Sequence, residues 1–228
     1  MTESSRTKGS QGRAYRGVSI EARRAERRQK LIAAGIQVIG SQGYHGATVK
    51  AVCGEAGLTE RYFYESFSNS EALLCALYEH ITGQLQTRVA EAISACQGES
   101  PEAMTDAALT AYFEFLHTHP HAARLIMTEI LGISADVDAR YRRVMNDFAK
   151  LLLSVLAGLH PGRQPAPVQD MLIATGIIGA LVNMAMRWML DGFRESVEDV
   201  VAAARFVLLA VNNQLGGSDR AERLTSDV

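Results

Sequence analysis

The sequence predicts an all-α protein, and three observations carry that reading. Apolar residues recur at helical spacing along most of the chain, without the alternation of strands. Capping residues, glycines and prolines punctuate that pattern at helix-length intervals. Of 228 residues, 47% are hydrophobic and 21% charged. That is enough for a sizeable core and too little charge for a disordered chain.

The elements follow in order. Ser19 caps a first helix, with Glu21 in its first turn. Leu31, Gly35, Val38 and Ile39 give it one inward stripe, and Gly43 ends it in the run Gly43-Tyr44-His45-Gly46. Thr48 starts a short helix through Ala56. A tight Gly57-Leu58 turn follows, and Thr59 caps another short helix to about Phe67. Ser68-Asn69-Ser70-Glu71 reads as a capping box with Ser68 at the N-cap, opening a long helix to about Cys96. Ser100-Pro101-Glu102 starts the next, which ends near His119-Pro120. A further helix runs from about Pro120 to Leu131, stopped by Gly132. Asp136 or Asp138 starts one to about Leu159. The stretch 160–167 holds three of the five prolines and reads as a linker. Val168–Gly192 and Ser196–Leu215 are the last two helices, the second with Ser196 and Asp199 as a cap pair, before a polar tail.

Composition excludes several classes of function. Cys53, Cys75 and Cys96 form no Cys-x-x-Cys pair and read as reduced thiols of a cytoplasmic protein. The motifs of serine hydrolases, P-loop and dinucleotide-binding proteins and zinc proteases are absent, so no enzyme and no cofactor are expected. His117, His119 and His121 invite a metal reading. However, residues two apart do not share a helix face and Pro120 interrupts the helix, so no metal site is expected. Met171 to Met186 is an uncharged run between Asp170 and Arg187. As a helix it reaches only ~24 Å, short of a ~30 Å hydrocarbon core, so it reads as a buried helix rather than a membrane span.

Charge is uneven. Residues 1–30 carry nine basic and three acidic side chains, a net +6; the whole chain is −2, leaving −8 for the rest. The first 18 residues lack the apolar run of roughly 7–15 residues that a secretory signal needs, and read as a basic, mobile arm. Such an arm suits an anionic polymer or surface, or serves only solubility.

The functional signal lies in Thr48–Phe67, where two short helices joined by a glycine turn make a helix-turn-helix. Val52, Ala56, Leu58, Phe63 and Phe67 face inward as its small core, leaving Thr59, Arg61, Tyr62 and Tyr64 on or near the outer face. Over about Ile20 to Leu77 the chain resembles the TetR-like family of transcriptional regulators. The match includes Gly43, Gly46 and Thr48, Ala-Gly-Leu-Thr at Ala56–Thr59, Phe63-Tyr64, Phe67, and Glu71-Ala72-Leu73-Leu74. It departs from the family's pattern at acidic Glu60 and Glu65, and at Ser70 where a lysine is common.

The resemblance implies an N-terminal three-helix DNA-binding domain joined by a long helix to a helical ligand-binding and dimerisation domain. It divides the chain into a basic arm (1–18), a helix-turn-helix domain (19–69), an effector-binding and dimerisation domain (70–216) and a polar tail (217–228). It gives the DNA-contacting set as Thr48, Lys50, Thr59, Arg61, Tyr62 and Tyr64. Thr48, Thr59 and Tyr64 would touch phosphates, Arg61 a base, and Tyr62 a thymine methyl or a phosphate, although the threonines also serve as helix caps. Arg23, Arg24, Arg27 and Arg28 would supplement the phosphate contacts.

The same resemblance implies a homodimer built on the last two helices, through Gly176, Gly179, Ala180, Asn183, Val200, Ala204, Val207, Leu208 and Val211. A small, lipophilic effector would sit among Tyr112, Phe113, Leu116, His117, Met127, Tyr141, Met145, Phe148, Met184 and Trp188. The implied function is repression at a palindromic operator in double-stranded DNA, relieved by that effector. A membrane-surface or protein-interaction adaptor is the competing reading, and the paired helices with their glycine turn favour DNA.

Overall fold

The computed structural model describes residues 19–159, 162 and 164–210. The expected basic arm, Val211 and the polar tail lie outside the described residues. Among the described residues every regular element is helical, as the apolar spacing requires.

Three helices form the head. Helix α1, Ile20–Gln42, is capped by the Ser19 hydroxyl, which accepts the Ala22 N–H at 3.1 Å. Gly43 ends it at φ +78°, a backbone angle that favours glycine. Helix α2, Val49–Ala56, starts at Thr48, whose hydroxyl accepts the Ala51 N–H at 3.1 Å, and stops at left-handed Gly57. Helix α3, Glu60–Ser66, follows Thr59, whose hydroxyl makes no capping bond. Val52, Cys53, Phe63 and Phe67 are buried against Leu31, Ile32, Val38 and Ile39 of α1, with Ala56 and Leu58 partly buried beside them.

Helix α4, Ser70–Ala95, is the spine. Its cap differs from the expected box. Asn69, not Ser68, is the N-cap, and its side-chain oxygen accepts the Ala72 N–H at 2.7 Å. The Glu71 carboxylate is engaged elsewhere, accepting the Ser134 hydroxyl at 2.7 Å. Helix α5, Pro101–Thr118, returns along α4 with Pro101 in its first turn and Ser100 as cap. Helix α6, Pro120–Arg124, runs directly into a wider π turn, Leu125–Glu129, ending sooner than the Leu131 the sequence suggests. Helix α7, Ala135–Leu159, is started by neither Asp136 nor Asp138 but by Ser134, whose hydroxyl accepts the Val137 N–H at 3.3 Å. Helix α8, Pro167–Leu190, packs on α7. Helix α9 covers residues 197–210, with the Ser196 hydroxyl accepting the Asp199 N–H at 3.1 Å.

Most of the buried residues form one continuous set, from Leu31 in α1 to Ala204 in α9. Head and body meet where α1 crosses α6. A methyl group on Gly40 would come within 2.5 Å of the His121 Cβ and 2.7 Å of its carbonyl oxygen, so only glycine permits that approach. Beside it, His121 Nδ1 lies 2.7 Å from Gln37 Oε1.

Helix α8 corrects the expectation of a buried helix. Only Ala174, Ile177, Ala185 and Trp188 are buried, on one stripe. Val168, Leu172, Gly176, Gly179, Asn183 and Leu190 lie on the exposed side. By length and composition α8 is apolar enough to cross a membrane. On α9, Ala204 is fully buried within the protomer and Leu208 lines an internal cavity, so neither belongs to an outer face. Val200 and Val207 are half-buried, and Phe206 is 78% exposed.

Candidate functional site

The outer surface of the head is organised by arginines of α1. Arg24 donates from Nη2 to the Glu65 carbonyl at 2.7 Å. The Arg27 guanidinium lies 4.4 Å above the Tyr62 ring and 3.7 Å from the Glu65 carboxylate. Arg28 lies 5.0 Å above the Phe67 ring. These three side chains clamp α3 to α1, where the sequence reading gave them to phosphates. Their exposed pairings are each worth ~0.5–1 kcal/mol, so they orient α3 more than they stabilise the fold.

Thr48, Lys50, Thr59, Arg61 and Tyr64 are all exposed, and Tyr62 is half-covered by Arg27. Tyr64 leans its ring edge-on against buried Phe63 at 5.3 Å and stays 57% exposed. Arg61 donates from Nε to Glu65 Oε1 at 3.1 Å, one helical turn along. That bond uses the Nε edge of the guanidinium, and the Arg61 side chain stays 83% exposed. Acidic Glu65, a departure from the family's pattern, thus gathers Arg27 and Arg61 together. The hydroxyl of Thr59 is free of any cap bond, whereas that of Thr48 is engaged in one.

The second feature is a cavity of about 140 Å³ lined by α4, α5, the π turn, α7, α8 and α9. Of the residues expected around an effector, Tyr112, Met127, Tyr141, Met145 and Phe148 line it. Phe113, Leu116 and Trp188 are buried core outside its wall, with Phe113 edge-on to Trp188 at 5.9 Å. Trp188 donates from Nε1 to the Glu195 carbonyl at 3.0 Å. His117 is exposed and stacks on Trp188 at 5.5 Å, and Met184 is partly buried away from the cavity. The other two histidines of the 117–121 run turn elsewhere, His119 stacking on Phe115 and His121 reaching Gln37.

Sequence reasoning missed the α4 wall: Tyr78, Thr82, Leu85, Val89 and Ile93. The signal was there, since steps of four, three, four and four keep one helix face. That face covers ~22 Å at 1.5 Å per residue. Nothing charged lines the cavity among the described residues. Burial pushes the phenols of Tyr78 and Tyr112 well above the usual tyrosine range, and their neighbour Tyr141 adds to both shifts.

Cavity and head are mechanically close. Ile126 and Met127 of the π turn line the cavity. Two residues on, Glu129 accepts the Tyr44 N–H at 2.8 Å, in the turn that leads into α2. Arg124 and the Thr128 hydroxyl each approach Glu129 Oε1 at 3.4 Å.

Residues 31–77 match the family described as bacterial regulatory proteins, tetR family. The chain is 22% identical over 161 residues to an uncharacterised HTH-type transcriptional regulator, YerO, of Bacillus subtilis; the alignment spans 70% of this chain and 56% of YerO. It is 23% identical over 182 residues to the fatty acid metabolism regulator protein of the same organism, covering 78% of this chain and 90% of that protein. Its fold is similar to the crystal structure of FadR from Bacillus subtilis in complex with stearoyl-CoA, with a TM-score of 0.67 at 20% identity, covering 79% of this chain and 95% of that one. Helix-turn-helix geometry and matched segment agree: residues 31–77 carry a tetR-family helix-turn-helix, on a chain whose fold is similar to that of FadR.

Proposed function

We propose that the chain is a homodimeric repressor that binds a palindromic operator in cytoplasmic double-stranded DNA and releases it on taking up a long acyl effector. The observation that carries this reading is the elongated, uncharged cavity whose wall includes the π turn bonded to the head. The relatives named for fatty acid metabolism and for stearoyl-CoA support an acyl chain as the occupant.

In DNA binding, α3 enters the major groove. Arg61 offers its terminal amino groups to guanine O6 and N7, Tyr62 faces a neighbouring base, and Thr48, Thr59, Lys50 and Tyr64 hold phosphates. One such head reads few base pairs, so two are needed, ~34–36 Å apart. The exposed side of α8, with Gly176, Gly179, Ala180 and Asn183, joins Val200 and Val207 of α9 as the surface for the second copy.

Release follows from size. A cavity near 150 Å³ admits about one benzene ring, so an acyl chain must push α4, α5 and α7 apart. Met104, Met127 and Met145 on its wall yield easily to such a shape. Displacing Met127 drags Glu129, and with it the turn before α2. A ligand that inverts the population from 99:1 to 1:99 must prefer the spread state by ~5.5 kcal/mol.

The test is DNA selection with the purified chain, followed by titration of the selected duplex–protein complex with stearoyl-CoA. Enrichment of a two-half-site palindrome, and its release by the thioester, is the expected result. A folded, dimeric chain that enriches no sequence would overturn the reading.

A further inference from the structure

Within the cavity one polar atom stands apart. Tyr78 is fully buried, lines the cavity, and its hydroxyl has no hydrogen-bond partner among the described residues. The two threonine hydroxyls of the wall can be contrasted with it. Thr82 donates to the Tyr78 carbonyl at 2.7 Å and Thr105 to the Pro101 carbonyl at 2.8 Å, so both are satisfied within their own helices. A buried phenol left unpaired costs ~1–3 kcal/mol, a cost that a bound acceptor would remove.

The position of this atom gives the cavity a direction. The Tyr78 and Tyr141 rings lie 6.4 Å apart, at the end of the α4 wall nearest the head. From there the wall runs through apolar Leu85 and Val89 to Ile93. A ligand that fills it is therefore an apolar chain with its acceptor at the tyrosine end. The charge of that acceptor is constrained too. An ionised carboxylate buried there would meet no lysine, arginine or histidine on the wall, and a buried unpaired charge is far costlier than a neutral dipole.

We infer that the Tyr78 hydroxyl is the polar anchor of the cavity, donating to one uncharged carbonyl on the ligand, of ester, thioester or ketone class, and that a free fatty acid in its ionised form is discriminated against. This rests on reading the cavity as the effector site. Because its phenol is held protonated by burial, Tyr78 remains a donor throughout the physiological range.

The experiment uses the full chain, its Tyr78→Phe variant, and two probes, methyl decanoate and decanoate, followed by calorimetric titration at pH 8. Wild type is expected to bind the ester at least tenfold more tightly than the acid. Tyr78→Phe is expected to bind the ester about five- to tenfold more weakly, the loss of one net hydrogen bond. Without ligand, the variant is expected to melt at or above the wild-type temperature, because the hydroxyl it lacks was unpaired. A purely structural hydroxyl would give the opposite melting shift. Full ester affinity in the variant, or a wild type that prefers the acid, would overturn the anchor while leaving the cavity as the effector site. A wild type that binds neither probe nor stearoyl-CoA would overturn the effector reading itself.

Discussion

Arg61 and Tyr64 sit three residues apart on one short helix and are expected to fail differently when changed. Tyr64→Phe removes a hydroxyl that carries no sequence information. Binding to operator and random duplex should weaken together by ~1 kcal/mol per half-site, read by fluorescence anisotropy. Arg61→Ala should cost ~1–3 kcal/mol on the operator alone and flatten the base preference at one position per half-site, read by repeating the selection. An unchanged preferred operator would remove Arg61 from base reading. These positions were legible because the helix-turn-helix fixes which residues of α3 face outward. The role of Glu65 was not. Its partners Arg27 and Arg61 lie on two helices, and only the packing of α1 on α3 brings them to one carboxylate.

At the scale of elements, Gly40 carries a sharp expectation. Gly40→Ala must push α6 from α1, because the added methyl meets backbone as well as side chain of His121. Overpacking of this kind costs ~1–3 kcal/mol, and urea denaturation should show it as a lower midpoint with an unchanged slope. Glu129→Ala should cost a similar ~1–3 kcal/mol by stranding the Tyr44 N–H, and should also weaken the dependence of operator binding on effector. A variant with full effector response would break the proposed link through the π turn. Helix order was readable from caps and turns, and most starts fell where capping residues placed them. The slip at α4 is instructive: Ser68 and Asn69 are both good caps, and local chemistry does not choose between them. The choice follows from Glu71, which bonds Ser134 on a segment 63 residues away. The cavity wall of α4 was overlooked for a related reason, since a helix needed as a connector already had a role.

The whole molecule exposes what a single chain leaves unfinished. Leu172 is 69% exposed and Val168 77%, on a helix with few polar positions. The sequence suggested burial for this helix, and in the proposed dimer a second copy would supply it. Leu172→Arg places a charge in that surface, and an unpaired buried charge costs ~3–5 kcal/mol. Sedimentation should then show monomers at concentrations where wild type is dimeric, with helical content preserved and operator binding lost. Persistence of the dimer would move the interface elsewhere. Ala204 and Leu208 show why the sequence could not divide the last helix correctly. An apolar stripe looks the same whether it faces its own core or a neighbour.

The unbroken run of buried side chains from α1 to α9 has a consequence for how the protein comes apart. No seam of solvent separates the part that touches DNA from the part that holds the cavity. Heating should therefore melt both in one cooperative step, with the calorimetric enthalpy matching the van't Hoff value per cooperative unit. The DNA-binding helices then borrow their thermal resistance from a cavity they never touch.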